Sequence, residues 1–317
     1  MAAVTTGDAA RPMPASARLR TYLELVRFSH TVFALPFAVI AALLAARRGI
    51  DPGLTAGVLG WLRPAAGILI CMVAARTAAM AFNRLVDRTI DAANPRTASR
   101  HLPRGDVGVA EVLGLVVASS AAFIAATLLF LPNWLPLVLS APVLAWLLGY
   151  SYAKRFTALA HLWLGAALGF APIAAWIALR GQIVLAAPAD ILPAALLGGA
   201  VTLWVAGFDI IYACQDAAFD AAHGLRSIPA RLGVPRALAL AKWLHAATLL
   251  VLAALPSVVP ELGWIYWTAW AAIAALLVWE HRLVRPDDLS RVNQAFFTAN
   301  AAIGLVLLAA ITADLWW

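Results

Sequence analysis

Runs of about 20 apolar residues, broken only by short charged segments, recur along almost the whole chain and leave it few folds to choose from. A helix of about that length crosses the hydrocarbon of a bilayer, where every backbone N–H and C=O must be paired within the segment itself. Nine such runs are read near 31–47, 64–83, 107–130, 134–152, 158–179, 191–214, 236–256, 262–280 and 292–315. With 63% hydrophobic residues, 317 residues cannot furnish the polar surface of a soluble two-domain enzyme. The expectation is an all-α membrane protein with nine transmembrane helices. Residues 1–20 contain no long apolar run and read as a disordered cytoplasmic tail rather than a signal peptide, leaving 21–317 as one transmembrane domain.

The arginines orient the bundle, because cytoplasmic loops keep Lys and Arg while translocated loops lose them. With the N-terminus inside, the inner segments hold seventeen of the 23 basic residues. The outer ones hold only Arg47, Arg48, Arg63 and Arg180. On this reading Trp61, Trp134, Trp264, Trp267, Trp316 and Trp317 all fall at the outer interface, where an indole buries its ring and hydrates its N–H. This topology accounts for the net charge of +7, and the interspersed basic residues form no nucleic-acid patch. Cys71 and Cys214 lie inside apolar runs and read as small core residues.

Acids are scarce, at 16 Asp and Glu, and two clusters of them close apolar runs on the same, cytoplasmic side. Asn83, Asp87 and Asp91 step by four, which puts an amide and two carboxylates on one helical stripe. Asp209, Tyr212, Asp216 and Asp220 step by three and four at the end of the sixth run. Each cluster leads into a basic loop with Gly and Pro, so the two stretches resemble a repeated unit whose acids converge on one cavity. Hard oxygen donors of this kind suit Mg2+, which takes one or two carboxylates plus substrate phosphates. The six His are scattered, and no His or Cys pair has zinc-ligand spacing. Four carboxylates carry about −4 and two Mg2+ ions about +4, so a bound diphosphate of about −3 still needs cations. Arg84, Arg88, Arg96, Arg100, Lys154 and Arg226 are the available donors. Plainer roles compete with these: the arginines as topology determinants, an Asp as a solvated helix cap, Tyr150 and Tyr152 as interfacial anchors.

At these residues the chain resembles the UbiA superfamily of membrane aromatic prenyltransferases. The family's first motif, N-D-x-x-D-x-x-x-D, is matched by Asn83-Arg-Leu-Val-Asp87-Arg-Thr-Ile-Asp91, with Arg96-Thr-Ala-Ser-Arg100 following. Its second, Y-A-x-x-D-x-x-x-D, is matched by Tyr212-Ala-Cys-Gln-Asp216-Ala-Ala-Phe-Asp220, and its Y-x-x-x-K segment by Tyr150-Ser-Tyr-Ala-Lys154. Arg76 also matches a family position. Arg84 departs from the pattern, replacing a common Asp with a cation. The variant NRLVDRTIDAANPRTA looks most like the branch associated with menaquinone synthesis through futalosine, whose acceptor is a naphthoate-type acid.

The resemblance implies a helix bundle around a central cavity open to the cytoplasm and laterally to lipid, in the inner membrane of the cell. It implies transfer of a polyprenyl group from polyprenyl diphosphate to an aromatic acid, 4-hydroxybenzoate or a naphthoate, in ubiquinone or menaquinone synthesis. The partners are then these two substrates and the bilayer, with no nucleic acid. Asn83, Asp87, Asp91, Asp216 and Asp220 are expected to hold Mg2+, and Arg88, Lys154 and Arg226 to absorb the charge of the leaving group, with Arg96 and Arg100 beside them. Arg76 is expected to pair with the acceptor carboxylate, Tyr150 to shield the allylic cation, and Asp209 to orient Tyr212 or a metal-bound water. The competing class is a secondary transporter that uses its aspartates without covalent chemistry. A phospholipid-synthesising transferase would need a D-G-x-x-A-R run, and none occurs.

Overall fold

The computed structural model describes residues 15–25, 34–55, 59–294 and 298–317. Among these residues the chain is helical, and an isolated bridge between Arg285 and Asp288 is the only β pairing. The helices are α1 (Ala15–Leu25), α2 (Leu35–Arg48), α3 (Leu62–Val86), α4 (Arg88–Ala93), α5 (His101–Arg104), α6 (Val109–Thr127), α7 (Leu135–Phe156) and α8 (Ala160–Ala186). There follow α9 (Leu192–Ala213), α10 (Ala217–Ala222), α11 (Ile228–Leu232), α12 (Val234–Ala254), α13 (Trp264–Leu283), α14 (Val292–Gln294) and α15 (Asn300–Trp316).

Among the described residues six helical segments are long and apolar enough to cross a membrane, built on α3, α6, α7, α8, α9 and α12. The remaining three expected runs overlap α2, α13 and α15, of 14, 20 and 17 residues, with 31–33 and 295–297 outside the described residues. Two details differ from expectation. The described part of the supposed tail is helical from Ala15, and α1 is latched to α6 by the Arg18–Glu111 ion pair at 2.6 Å; residues 1–14 lie outside the described residues. The fifth run extends past 179 to Ala186 through a non-helical Arg180 (φ −134°, ψ 23°). There Asp51 accepts the restarted helix's Gln182 and Ile183 N–H groups at 2.9 and 3.1 Å, replacing partners that the break removes. In the last run, expected from 292, the described residues give the short turn α14 and then α15 from Asn300, and residues 295–297 lie outside the described residues. All six tryptophans assigned to the outer interface are exposed.

Small residues set the closest helix contact. A Cβ on Gly165 would lie 2.2 Å from the Thr202 carbonyl oxygen, and one on Gly169 2.5 Å from that of Gly198, so α8 and α9 approach backbone to backbone. Phe37, Trp204 and Phe208 fill the core beside this pair, with ring centroids 5.4 and 5.2 Å apart in succession. On the other side α3 packs against α6 and α7. The ends of α3, α7 and α9 thereby surround one cavity.

Candidate active site

Both acidic clusters are built on one backbone plan. α3 gives way at Asp87 (φ −92°, ψ 7°) to the six-residue α4, sequence RTIDAA, which carries Asp91 in its first turn. α9 passes through a 3-10 turn that ends at Asp216 (φ −102°, ψ 3°) and then into the six-residue α10, sequence AAFDAA, with Asp220 in its first turn. Bonds from Asp87 N to Asn83 O (2.9 Å) and from Asp91 N to Asp87 O (2.7 Å) carry the four-residue spacing through the break. Each loop that follows turns back through a glycine in the left-handed region, Gly105 (φ 78°) and Gly224 (φ 69°).

The two rims wall a single cavity of about 240 Å³. Asn83, Asp87, Asp91, Arg96, Arg100, Lys154, Asp216 and Asp220 line it with Arg76, Tyr150, Asp209 and Tyr212. Deeper along α8 and α9 its wall is apolar, from Leu164, Leu168, Val205 and Phe208. A polar mouth over an apolar floor suits a ligand with a charged head and a hydrocarbon tail.

Guanidinium groups hold three of the four motif aspartates. Arg155 Nη2 donates to Asp87 Oδ1 at 3.1 Å, while Asn83 Nδ2 donates to Asp87 Oδ2 at 2.9 Å. Arg100 Nη1 reaches both oxygens of buried Asp91, at 2.6 and 2.7 Å, with Arg84 Nη1 4.0 Å from Asp91 Oδ2. Arg96 crosses from the first rim to the second. Its Nε donates to Asp216 Oδ1 at 2.8 Å, its Nη2 to Asp216 Oδ2, and its Nη1 to the Tyr212 hydroxyl at 3.2 Å. Asn94 Nδ2 adds a bond to Asp216 Oδ1 at 3.0 Å. Asp220 differs from the rest: it is 3% exposed, its Oδ2 has no hydrogen-bond partner, and Lys154 Nζ stands 4.0 Å away. Burial pushes the Asp87 carboxyl above its usual range, with the nearby Asp91 charge adding to the rise and Arg155 opposing it.

Two expected donors stand apart. Arg88 is exposed and donates to Leu85 O at 3.0 Å, and Arg226 donates to Phe156 O at 2.9 Å, and neither lines the cavity. Asp209 accepts a 2.7 Å bond from His161 Nδ1, while the Tyr212 hydroxyl is met by Arg96. Sequence reasoning passed over Asn94, Arg155 and His161 as site residues. Arg155 follows Lys154 directly, and Asn94 opens the basic loop, so adjacency to a motif was the available signal. His161 carried none, because a lone histidine at the start of an apolar run looks like any buried core residue.

Arginines joining two acid-bearing helix ends above an apolar pocket narrow the comparison, and the sequence match decides it. The model of the UbiA prenyltransferase family matches residues 34–302. The chain belongs to the UbiA prenyltransferase family. It is 30% identical over 317 residues to the 4-hydroxybenzoate octaprenyltransferase of Chromohalobacter salexigens, covering 98% of each chain. Among solved structures, the apo UbiA homolog from Aeropyrum pernix K1 superposes with a TM-score of 0.77 at 36% identity, covering 90% of this chain and 98% of that one. A UbiA homolog from Archaeoglobus fulgidus bound to GPP and Mg2+ shares the fold, with a TM-score of 0.65 at 21% identity, covering 94% of this chain and all of the other. The chain is thus a UbiA-family prenyltransferase, and the two motifs read in its sequence are the cavity's two rims.

Proposed function

We propose that this prenyltransferase moves a polyprenyl group from polyprenyl diphosphate to an aromatic acid, 4-hydroxybenzoate or a naphthoate, with Mg2+, as a step of ubiquinone or menaquinone synthesis. The observation that carries this reading is the single cavity walled by both rims at its mouth and by apolar side chains below. The names of the relatives support an aromatic acid as acceptor, and the Archaeoglobus neighbour supports the metal.

The donor set fits a hard cation. Asp220 Oδ2 is a buried carboxylate oxygen without a hydrogen-bond partner, a costly arrangement that a cation would relieve. An Mg2+ ion takes one or two carboxylates and completes its shell with phosphate oxygens. Asn83, Asp87, Asp91, Asp216 and Asp220 would hold it, and bound there it supplies positive charge to the diphosphate oxygens.

The chain's own cations do the rest. Arg96, Arg100 and Lys154 line the mouth and meet the negative charge that grows on the leaving diphosphate as its C–O bond breaks. The apolar wall keeps water from the allylic cation, Tyr150 covers it, and Arg76 pairs with the acceptor carboxylate. A ring carbon of the acceptor then forms the C–C bond, and loss of the ring proton restores aromaticity. In this reading nine helices cross the inner membrane with the N-terminus and the cavity mouth on the cytoplasmic side, as the distribution of arginines supports. The polyprenyl tail stays in the hydrocarbon, since each CH2 that left it would cost about 0.8 kcal/mol.

The test is mass spectrometry of products formed by the protein in liposomes from a panel of polyprenyl diphosphates, 4-hydroxybenzoate and naphthoate acids. A prenylated acid with one pyrophosphate released per product, abolished by chelator, is the expected result. Product that persists in excess EDTA would remove the metal from the reading. Solute flux without any covalent product would replace the enzyme by a transporter.

A further inference from the structure

Asp209 lines the cavity from α9, three residues before Tyr212, and the metal and diphosphate roles given above do not use it. Its Oδ2 accepts a bond from His161 Nδ1 at 2.7 Å, and among the described residues its Oδ1 has no protein hydrogen-bond partner. Its side chain is 17% exposed, and its place in the cavity lining accounts for that access. His161 is fully buried, and its other nitrogen, Nε2, accepts the backbone N–H of Ile228 at 3.3 Å. A peptide N–H can only donate, so Nε2 presents a lone pair and the proton of the neutral ring is on Nδ1, directed at Asp209. The imidazole is held in one tautomer and one orientation from both sides. The loop that pins it begins at Arg226, whose N–H donates to Lys154 O at 2.7 Å, so the pinning segment is itself tied to α7.

We propose that Asp209 is the base that takes the ring proton of the aromatic acceptor, and that His161 is the positioning residue that fixes its carboxylate. The proposal rests on the prenyl-transfer reading above. The C–O bond of the diphosphate breaks with its electron pair leaving on pyrophosphate. A π pair of the acceptor ring forms the new C–C bond, the ring C–H bond breaks, and its pair restores the aromatic sextet. The proton passes to the Asp209 carboxylate. The apolar cavity wall excludes water that would otherwise collect this proton, so a fixed acceptor among the lining side chains is needed. Asp209 suits that role better than the motif aspartates, three of which are engaged by guanidinium groups.

The test separates deprotonation from the ionisation that precedes it. Wild-type protein in liposomes is given polyprenyl diphosphate with ordinary or ring-deuterated acceptor, and pyrophosphate, prenyl alcohol and prenylated acid are each measured. In Asp209→Asn the prenylated acid should fall by ~10²-fold or more. Pyrophosphate release should continue at a larger share of the wild-type rate, with prenyl alcohol as the organic product, because an arenium ion that keeps its proton reverts to the allylic cation, which then outlasts the slow entry of water through the polar mouth. In His161→Leu, removal of the Nδ1–H donor should make proton loss slow enough that ring deuteration lowers the rate, whereas His161→Asn, which keeps a donor near the Nδ1 position, should recover much of the coupling.

One pyrophosphate per prenylated acid in Asp209→Asn would overturn the proposal. So would equal loss of pyrophosphate and prenylated acid in a variant whose thermal midpoint is unchanged. If Asp209→Asn does not fold, the absence of any isotope effect in His161→Leu overturns the proposal by itself. A wild-type protein that releases no pyrophosphate with any substrate refutes instead the prenyl-transfer reading beneath it.

Discussion

Asp87 and Asp216 occupy the same place in two copies of one backbone pattern, at the break where a long helix hands over to a six-residue one. Their surroundings differ. Asp87 meets one nitrogen of Arg155 from α7, whereas Asp216 is gripped through both oxygens by Arg96, from the loop that follows the other rim. The second members differ as well, since Asp91 is bound by Arg100 and Asp220 faces Lys154 only at 4.0 Å. The reciprocal loop does not reciprocate, because its Arg226 turns to Phe156 O. One basic loop therefore ties both rims together, and the charge deficit collects at Asp220. A shared local pattern sets where the carboxylates stand, and chain segments far away in sequence set which of them keep a free oxygen.

The largest expected effect tests what the rims have in common. Asp87→Asn and Asp216→Asn should each lower prenyl transfer roughly 10²- to 10³-fold at saturating Mg2+, as measured by labelled product, since each removes charge from the reacting head group's site. Near-normal turnover in either would break the equivalence of the rims. Arg96→Lys should raise KM for the diphosphate about tenfold while Arg226→Lys leaves it unchanged, because a point charge cannot reproduce the two-oxygen grip at Asp216 and Arg226 does not line the cavity.

Stability should separate what activity equates. In chemical denaturation of the detergent-solubilised protein, Asp216→Asn should cost about 2 kcal/mol by leaving Arg96 without its carboxylate. Asp220→Asn should cost much less, because the oxygen it changes has no hydrogen bond to lose. The smallest effect is the pH dependence at Asp87. Burial raises its folded-state pKa, so between the unfolded and the folded value the native chain holds more proton than the unfolded chain. Its contribution to stability is therefore lost as pH rises through that window, and Asp87→Asn should flatten this part of the profile and be no less stable than wild type at neutral pH. Thermal midpoints measured from acid to neutral pH check the sign.

Much of the fold was legible because a bilayer admits only helices whose length and apolar character can be read residue by residue. The breaks were less so. The interruption of α8 at Arg180 depends on Asp51, a residue more than a hundred positions away that accepts the freed N–H groups. In the site, the motif spacing identified the aspartates and Lys154, all of which line the cavity, yet it assigned Arg88 and Arg226 the same standing as Arg96 and Arg100. Arginines in a basic loop have equal formal charge, and only the path of the loop decides which side chains turn inward. His161 was hidden for the converse reason: its partners are Asp209 and the N–H of Ile228, 48 and 67 residues away.

The sequence alone determined that the chain is a membrane helix bundle, that its acids stand at two helix ends, and that they are spaced for one face of each helix. These properties follow from composition and from the 3.6-residue period, which are local. Tertiary structure alone decided that Arg96 spans the two ends, that an oxygen of Asp220 keeps no hydrogen bond, and that a buried histidine aims Asp209. Hydrogen bonds and ion pairs act over about 3 to 4 Å, and no spacing along a chain specifies which distant groups folding will bring within that reach.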